Sequence, residues 1–174
     1  MPGKNEIGRG LLIALEGIDG SGTTTQLARV ADRLTSRGRR VRTTREPSDG
    51  PVGRLLREIL LGGHRGPGGA PVDGLAMALL FAADRRDHLQ REILPALDAG
   101  TDVVTDRYLL SSLAYQAEEA AREWVEGLAR DVPVPDLTVL LDVPVGVAAA
   151  RLQTVVVVAL RRTARGQSTT SPTR

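Results

Sequence analysis

Apolar residues along the first 152 positions alternate between short continuous runs and helical repeats. Positions 11–15 hold only leucine, isoleucine and alanine, which is typical of a parallel strand buried on both faces. Apolar residues then recur at the i, i+3, i+4 and i+7 positions of a helix between Leu27 and Leu34, and Gly38 marks its end. The pattern therefore predicts a strand, a glycine-containing loop and a helix, in that order.

The same alternation continues along the chain and sets the fold class. The predicted elements are strands at 41–44, 101–105 and a buried one at 137–141, helices at 52–61, 75–97 and, with a break, 109–130, and a mobile glycine-rich loop at 62–74. Alternating strands and helices predict an α/β fold in three layers, in which helices flank a parallel sheet on both faces.

The composition excludes several classes of protein. The 174 residues include no cysteine and two histidines, which excludes disulfides and cysteine-ligated zinc and argues against a histidine-rich metal site. No apolar run is long enough to span a membrane, and the first ten residues are too polar for a signal peptide. We expect a cytoplasmic protein that does not insert into membranes.

Basic charge is concentrated at the end of the chain. The net charge is +2, but residues 153–174 contribute four arginines and no acid, which leaves 19 basic and 21 acidic residues in 1–152. The acidic body does not favour nucleic acid binding. Four valines at 155–158 are compatible with a further strand, and the last ten residues predict disorder. We predict one domain at 1–152 and an atypical, partly disordered basic tail at 153–174.

A glycine-rich segment lies between the first predicted strand and the first predicted helix. It reads Gly17-Ile18-Asp19-Gly20-Ser21-Gly22-Thr23-Thr24 and follows the phosphate-binding pattern GxxxxGK[ST], except that Thr23 occupies the lysine position. In this pattern the backbone N–H groups and the helix N-terminus bind phosphate, and the last hydroxyl reaches Mg²⁺. We predict that all eight residues contact the phosphates of ATP, with an arginine from elsewhere supplying the missing cation.

A second polar cluster follows the strand predicted at 101–105. Asp106 and Arg107 stand where this class of fold places a carboxylate near the metal, although an Asp-Arg pair at a strand end is by itself more often a cap or salt bridge. Two hydroxyls, an aromatic ring and an amide follow within two helical turns, at Ser111, Ser112, Tyr115 and Gln116. These groups suit a pocket for a base and a phosphate.

Taken together, the motifs resemble those of the bacterial thymidylate kinase family. The resemblance rests on five segments in the family's order, at residues 17–26, 44–47, 80–86, 106–116 and 135–143. It implies a P-loop nucleoside monophosphate kinase fold, transfer of the ATP γ-phosphoryl group to dTMP to give dTDP and ADP, a requirement for Mg²⁺, and a homodimer.

The resemblance also implies a role for each matching residue. Thr24 and Asp106 would hold Mg²⁺, and Asp19 would lie near the phosphates and metal. Phe81 would stack on thymine, and Arg85 would hydrogen-bond the base. The residues expected to bind dTMP are Glu46, Arg57, Phe81, Arg85, Arg107, Ser111, Ser112, Tyr115 and Gln116. The residues expected to act in catalysis are Asp19 and two arginines that replace the missing cation, Arg107 first and Arg151 second.

The resemblance ends near residue 152 and leaves two alternatives open. Residues 153–174 match neither the arginine-bearing lid nor the closing helix of the family, which indicates a fold incomplete at its C-terminus and a truncated or frame-shifted end. A catalytically silent nucleotide-binding remnant of the same fold, or a kinase for another nucleoside monophosphate, therefore stands beside the thymidylate kinase interpretation.

Overall fold

A four-stranded parallel sheet forms the centre of the computed structural model, which describes residues 8–118 and 121–153. The strands are β1 (Leu12–Glu16), β2 (Val41–Arg45), β3 (Asp102–Asp106) and β4 (Leu137–Leu140), in the order β2-β3-β1-β4. The helices are α1 (Thr23–Thr35), α2 (Pro51–Leu60), α3 (Gly74–His88), α4 (Leu94–Asp98), α5 (Leu109–Tyr115), α6 (Arg122–Leu128) and α7, described over residues 145–153.

Side chains of β1 alternate between two apolar layers because successive residues of a strand point to opposite faces. Leu12 and Ala14 belong to a core with Leu89, Ile93 and Leu97 from the helical segment before β3. The other layer contains Ile13 and Leu15 of β1, with Leu27, Val30 and Leu34 of α1 packed on it. Helices on both faces confirm the predicted three-layer α/β fold.

The predicted helical segments are present, but two are divided. The run expected at 75–97 is α3 and α4 joined by a single π-helical segment at Leu89–Ile93. Pro95, which has no N–H to donate, lies in the first turn of α4. The break expected between residues 109 and 130 lies between α5 and α6, where Gln116–Glu118 form a 3₁₀ turn.

The predicted strand at 137–141 is found as β4, but the prediction that it is buried is wrong. All four of its residues are exposed, and Leu140 is 63% exposed. β4 is an edge strand of the described sheet, while α1 and α4 pack on the other strands. The predictions for the tail, a strand at 155–158 and disorder in the last ten residues, lie outside the described residues. No helix in the described part of the chain is long and apolar enough to cross a membrane.

Candidate active site

The glycine-rich loop joins the carboxyl end of β1 to the start of α1. Gly20 and Gly22 have φ angles of +81° and +98°, which residues with a side chain rarely adopt. A Cβ atom on Gly20 would also lie 2.5 Å from the carbonyl oxygen of Ala148 in α7. The loop therefore needs glycine both for its backbone conformation and for the close approach of α7.

Arg151 of α7 contacts this loop although it lies 130 residues away from Ser21 in the sequence. Its Nη1 atom donates to the carbonyl oxygens of Gly20, at 3.2 Å, and Ser21, at 3.1 Å. Thr23, at the lysine position of the pattern, is the first residue of α1 and is buried. The fold thus brings a guanidinium to a loop that has no lysine of its own.

Thr24 and Asp106 meet at the ends of α1 and β3. The Thr24 hydroxyl donates to Oδ2 of Asp106 at 2.6 Å, while Oδ1 of Asp106 is buried and has no hydrogen-bond partner. Parallel pairing of β1 with β3 sets Asp106 beside Leu15, directly before the loop. A hydroxyl and a carboxylate with one unused oxygen are the oxygen ligands that Mg²⁺ prefers, so the two residues fit this ion.

A cavity of about 430 Å³ opens beside the loop. Eight residues expected at the dTMP site line it, together with Asp19. The lining consists of Asp19, Glu46, Pro47, Leu60, Val72, Gly74, Met77, Phe81, Arg85, Arg107, Tyr108, Ser111, Ser112, Tyr115 and Gln116. The cavity therefore brings together predicted residues from the loop, the end of β2, α3 and α5.

Arg85 and Glu46 form a buried ion pair in this cavity. Arg85 Nε and Nη2 donate to Glu46 Oε2 at 2.9 Å and 2.6 Å, and Nη2 also donates to Ser112 Oγ at 2.7 Å. Burial alone would lower the pKa of Arg85, but the Glu46 carboxylate raises it above the ordinary value. The guanidinium is thus charged and fixed in one orientation at the cavity wall.

Arg107 links the cavity to the glycine-rich loop. Its Nη2 atom lies 2.5 Å from Asp19 Oδ1, its Nη1 donates to Ser111 Oγ at 3.2 Å, and its guanidinium lies 5.4 Å from the ring centre of Tyr115. Arg107 has a φ of +74°, and among the described residues it is the single non-glycine residue with a positive φ. Asp19, expected near the ATP phosphates, therefore also lines the cavity where dTMP is expected to bind.

Comparison with known proteins identifies the family. The family model described as thymidylate kinase matches residues 15–156. The chain belongs to the thymidylate kinase family. Probable thymidylate kinases of Pyrococcus abyssi and Pyrobaculum aerophilum are 48% and 46% identical to it, over 79% and 81% of this chain and 67% and 69% of their own lengths. The thymidylate kinase of Bifidobacterium longum is 44% identical over 83% of this chain and 72% of its own length.

One residue that the family resemblance assigns to the substrate phosphate lies apart from the cavity lining. Arg57 of α2 donates from Nη1 to the carbonyl oxygen of Pro47 at 2.6 Å, and its Nη2 lies 3.0 Å from Asp49. The preceding Glu46-Pro47 peptide bond is cis. In this structure Arg57 braces the turn that follows β2, and its contact with substrate stays a prediction.

Sequence reasoning missed two buried carboxylates that fix segments adjacent to the site. Glu16, buried at the end of β1, accepts hydrogen bonds from Leu110 N at 3.0 Å and Ser111 Oγ at 2.6 Å. Asp84, also buried, accepts from Ser48 N at 2.7 Å and Ser48 Oγ at 2.6 Å. An acidic residue at the end of an apolar strand, directly before Gly17, was the available signal for Glu16.

Tyr108 lies within the segment 106–116 that carries the family resemblance, and it is fully buried. Its hydroxyl donates to the carbonyl oxygen of Pro133 at 3.0 Å, and its ring lies 5.3 Å from the Arg85 guanidinium. Burial raises the pKa of the Tyr108 phenol well above its ordinary value. Tyr108 is thus a neutral phenol whose ring packs against the Arg85 guanidinium.

Proposed function

We propose that this protein transfers the γ-phosphoryl group of ATP to dTMP and forms dTDP and ADP. The observation that carries the proposal is the cavity in which Phe81, Arg85 and Arg107 line one space beside the glycine-rich loop. Membership of the thymidylate kinase family supports the same reaction. Phosphoryl transfer depends mainly on positioning two substrates and neutralising charge, so adjacent sites are its structural requirement.

The cavity suits a pyrimidine monophosphate. Phe81 supplies an apolar ring for stacking on the base, and Arg85 and Gln116 supply hydrogen-bonding groups for its edge. Arg107, whose Asp19 contact lies on the loop side, would bind the phosphate of dTMP. The relatives described above are named as thymidylate kinases, which favours dTMP over another nucleoside monophosphate.

We assign the ATP phosphates to the loop at residues 17–24, with Thr24 and Asp106 holding Mg²⁺. When bound, Mg²⁺ neutralises charge that develops on the β- and γ-phosphate oxygens. The backbone N–H groups of the loop and the N-terminal end of α1 would bind these oxygens, and Arg151 would add a positive charge. These groups would neutralise and position the triphosphate beside the cavity, where Arg107 contacts Asp19 of the loop, and no covalent intermediate is needed.

The decisive experiment measures ADP release with ATP and Mg²⁺ in a coupled assay. We expect turnover with dTMP, and weaker or no turnover with dUMP, dCMP or dGMP. Preference for another monophosphate would contradict the substrate assignment. If no monophosphate supports turnover but calorimetry detects dTMP binding, the chain is a silent remnant of the fold.

The remaining expectations rest on composition, charge and the family resemblance. We propose one catalytic domain over 1–152, a cytoplasmic location and no nucleic acid partner. We also propose a homodimer, for which the exposed Leu75 and Leu79, four residues apart on α3, are a suitable apolar contact. Light scattering of the purified chain should give twice the 18.5 kDa monomer mass, and the monomer mass alone would contradict the dimer.

A further inference from the structure

A buried histidine lies behind the Glu46–Arg85 pair. His88 is 2% exposed and follows Arg85 by three residues on α3, and it does not line the cavity. Its Nε2 atom lies 2.7 Å from the Thr44 hydroxyl, and its Nδ1 atom, which has no hydrogen-bond partner, lies 3.8 Å from Glu46 Oε1. An unpartnered polar atom at full burial is unusual and indicates a local constraint.

The charges around the ring indicate which nitrogen carries the proton. Glu46 is paired with Arg85, and Glu92, whose Oε2 lies 3.6 Å from Nε2, is paired with Arg42 at 2.8 Å. Both ring nitrogens face a carboxylate, but only Nε2 also has a hydroxyl within hydrogen-bond distance. A lone pair on Nδ1 would repel the Glu46 carboxylate with no donor to satisfy it, whereas an N–H there attracts the carboxylate. The Thr44 hydroxyl can donate to Nε2, which satisfies the second nitrogen. The arrangement therefore favours the proton on Nδ1.

We propose that His88, with Thr44, is a positioning residue for dTMP recognition. Its Nδ1–H lies near Oε1 of the Glu46 carboxylate, while Nη2 of Arg85 donates to Oε2, so His88 keeps Glu46 aligned. Glu46 in turn fixes the guanidinium proposed to read the base. The separation of 3.8 Å exceeds a hydrogen bond, so the interaction is electrostatic, and burial strengthens it. This inference rests on the proposed function, because it assigns His88 to the dTMP site and not to the ATP site.

Three substitutions separate positioning from packing. His88→Leu fills the space without polar atoms, whereas His88→Asn keeps an N–H donor near the position of Nδ1. Thr44→Val removes the hydroxyl beside Nε2 with little change of shape. The matched control is His64→Gln. His64 is the other histidine of the chain, lies in the exposed loop after α2 and pairs with Glu58 at 2.8 Å.

We expect His88→Leu to raise the KM for dTMP about 3- to 10-fold, which is the effect of one modest polar interaction, and to leave the KM for ATP within about twofold. His88→Asn should restore most of the loss, Thr44→Val should raise the KM for dTMP in the same direction, and His64→Gln should change neither constant. An unchanged KM for dTMP in His88→Leu, or equal rises for both substrates, would overturn the proposal. If His88→Leu does not fold, Thr44→Val decides on the same criteria.

Nitrogen-15 NMR of the imidazole rings gives a readout that does not depend on turnover. With His64 replaced, a single histidine remains, and we expect its proton on Nδ1 and a change in its Nδ1 shift in Glu46→Gln. A proton on Nε2 alone would overturn the inference. A wild-type chain that shows this signature but no dTMP turnover would contradict the proposed function and support the role of His88 toward Glu46.

Discussion

Arg85 and Arg107 are each held by a carboxylate that comes from another segment of the chain. Glu46 fixes Arg85 from the end of β2, and Asp19 contacts Arg107 from the glycine-rich loop. Such contacts orient the guanidinium groups before a substrate arrives, which reduces the ordering cost of binding. Arg151 differs, because the loop holds it through carbonyl oxygens at 3.1 Å and 3.2 Å, which leaves its positive charge available to the ATP phosphates.

Replacing Arg151 tests whether it supplies the cation that the loop lacks. We expect Arg151→Met to lower kcat/KM for ATP about 10- to 100-fold, because one charged donor to the phosphates is lost, and to leave dTMP binding unchanged. Thr23→Lys, which restores the usual loop lysine, should recover much of this loss in the double variant. Steady-state kinetics with each substrate varied in turn measures both effects.

The control for this pair is Arg122→Met, which removes an exposed arginine of α6 that pairs with Glu126. It should have wild-type kinetics. If Arg151→Met also has wild-type kinetics, or if Thr23→Lys gives no recovery, Arg151 does not replace the lysine.

Residues with a local signature were predictable from the sequence, and residues that act through burial were not. Thr24 and Asp106 follow from a spaced pattern and a strand end, and the structure brings them to 2.6 Å. Glu16 and His88 resemble ordinary polar residues in the sequence, because their importance depends on side chains 95 and 44 residues away. Only the folded chain shows which carboxylate meets which donor.

At the scale of elements, strand register places the glycine-rich loop, Asp106 and Glu46 together at the carboxyl ends of the strands. The pairing Leu15↔Asp106 aligns β1 with β3, and Arg45↔Asp106 aligns β2 with β3. The sequence predicted each strand within one or two residues because glycine, proline or polar residues follow each of them. It did not predict that β4 is exposed, since an apolar run alone does not show what packs on a strand.

Asp102, at the start of β3, links three segments at the amino ends of the strands. Its carboxylate accepts a hydrogen bond from Leu11 N at 2.9 Å and pairs with Arg39, which lies between α1 and β2. The hydrogen bond from Arg39 lowers the pKa of Asp102 below its ordinary value, although burial opposes the shift. The ionised carboxylate is thus more stable in the folded chain than in the unfolded chain.

The stability of the fold should therefore depend on pH through Asp102. Because the folded pKa is lowered, the contribution of Asp102 is complete above the unfolded value of about 3.9 and is lost as pH falls through the folded value. Asp102→Asn should lower the free energy of unfolding by about 1–3 kcal/mol at pH 7, and the difference from wild type should shrink below about pH 4.

Urea unfolding at several pH values measures this difference. Asp98→Asn, which changes an exposed carboxylate at the end of α4, is the matched control and should have little effect. A difference between Asp102→Asn and wild type that stays constant down to pH 3 would contradict the role of the ionised carboxylate.

At the scale of the whole molecule, the cavity is lined by residues that lie between Asp19 and Gln116 in the sequence. They come from the segments after β1, β2 and β3 and from helices α2, α3 and α5. The net charge of +2 arises beyond residue 152, while residues 1–152, which hold every candidate site residue, carry more acidic than basic side chains. The positive charge proposed to bind substrate phosphates is therefore local and comes from individually placed arginines. A ligand bound among these segments should stabilise them together.

Ligand-linked stability separates an active kinase from a silent remnant. At 100 times its dissociation constant, dTMP should add about 2.7 kcal/mol to the free energy of unfolding, which is a rise in Tm of roughly 5–10 °C for a chain of this size. ATP with Mg²⁺ should raise Tm independently, because we assign it to the glycine-rich loop and not to the cavity wall that contains Arg85. Arg85→Met should abolish the dTMP shift and keep the ATP shift, as measured by scanning calorimetry.

A dTMP shift without an ATP shift would indicate a nucleotide-binding remnant. The absence of any shift with dTMP would contradict the assignment of the cavity, because a ligand that binds the folded state must stabilise it.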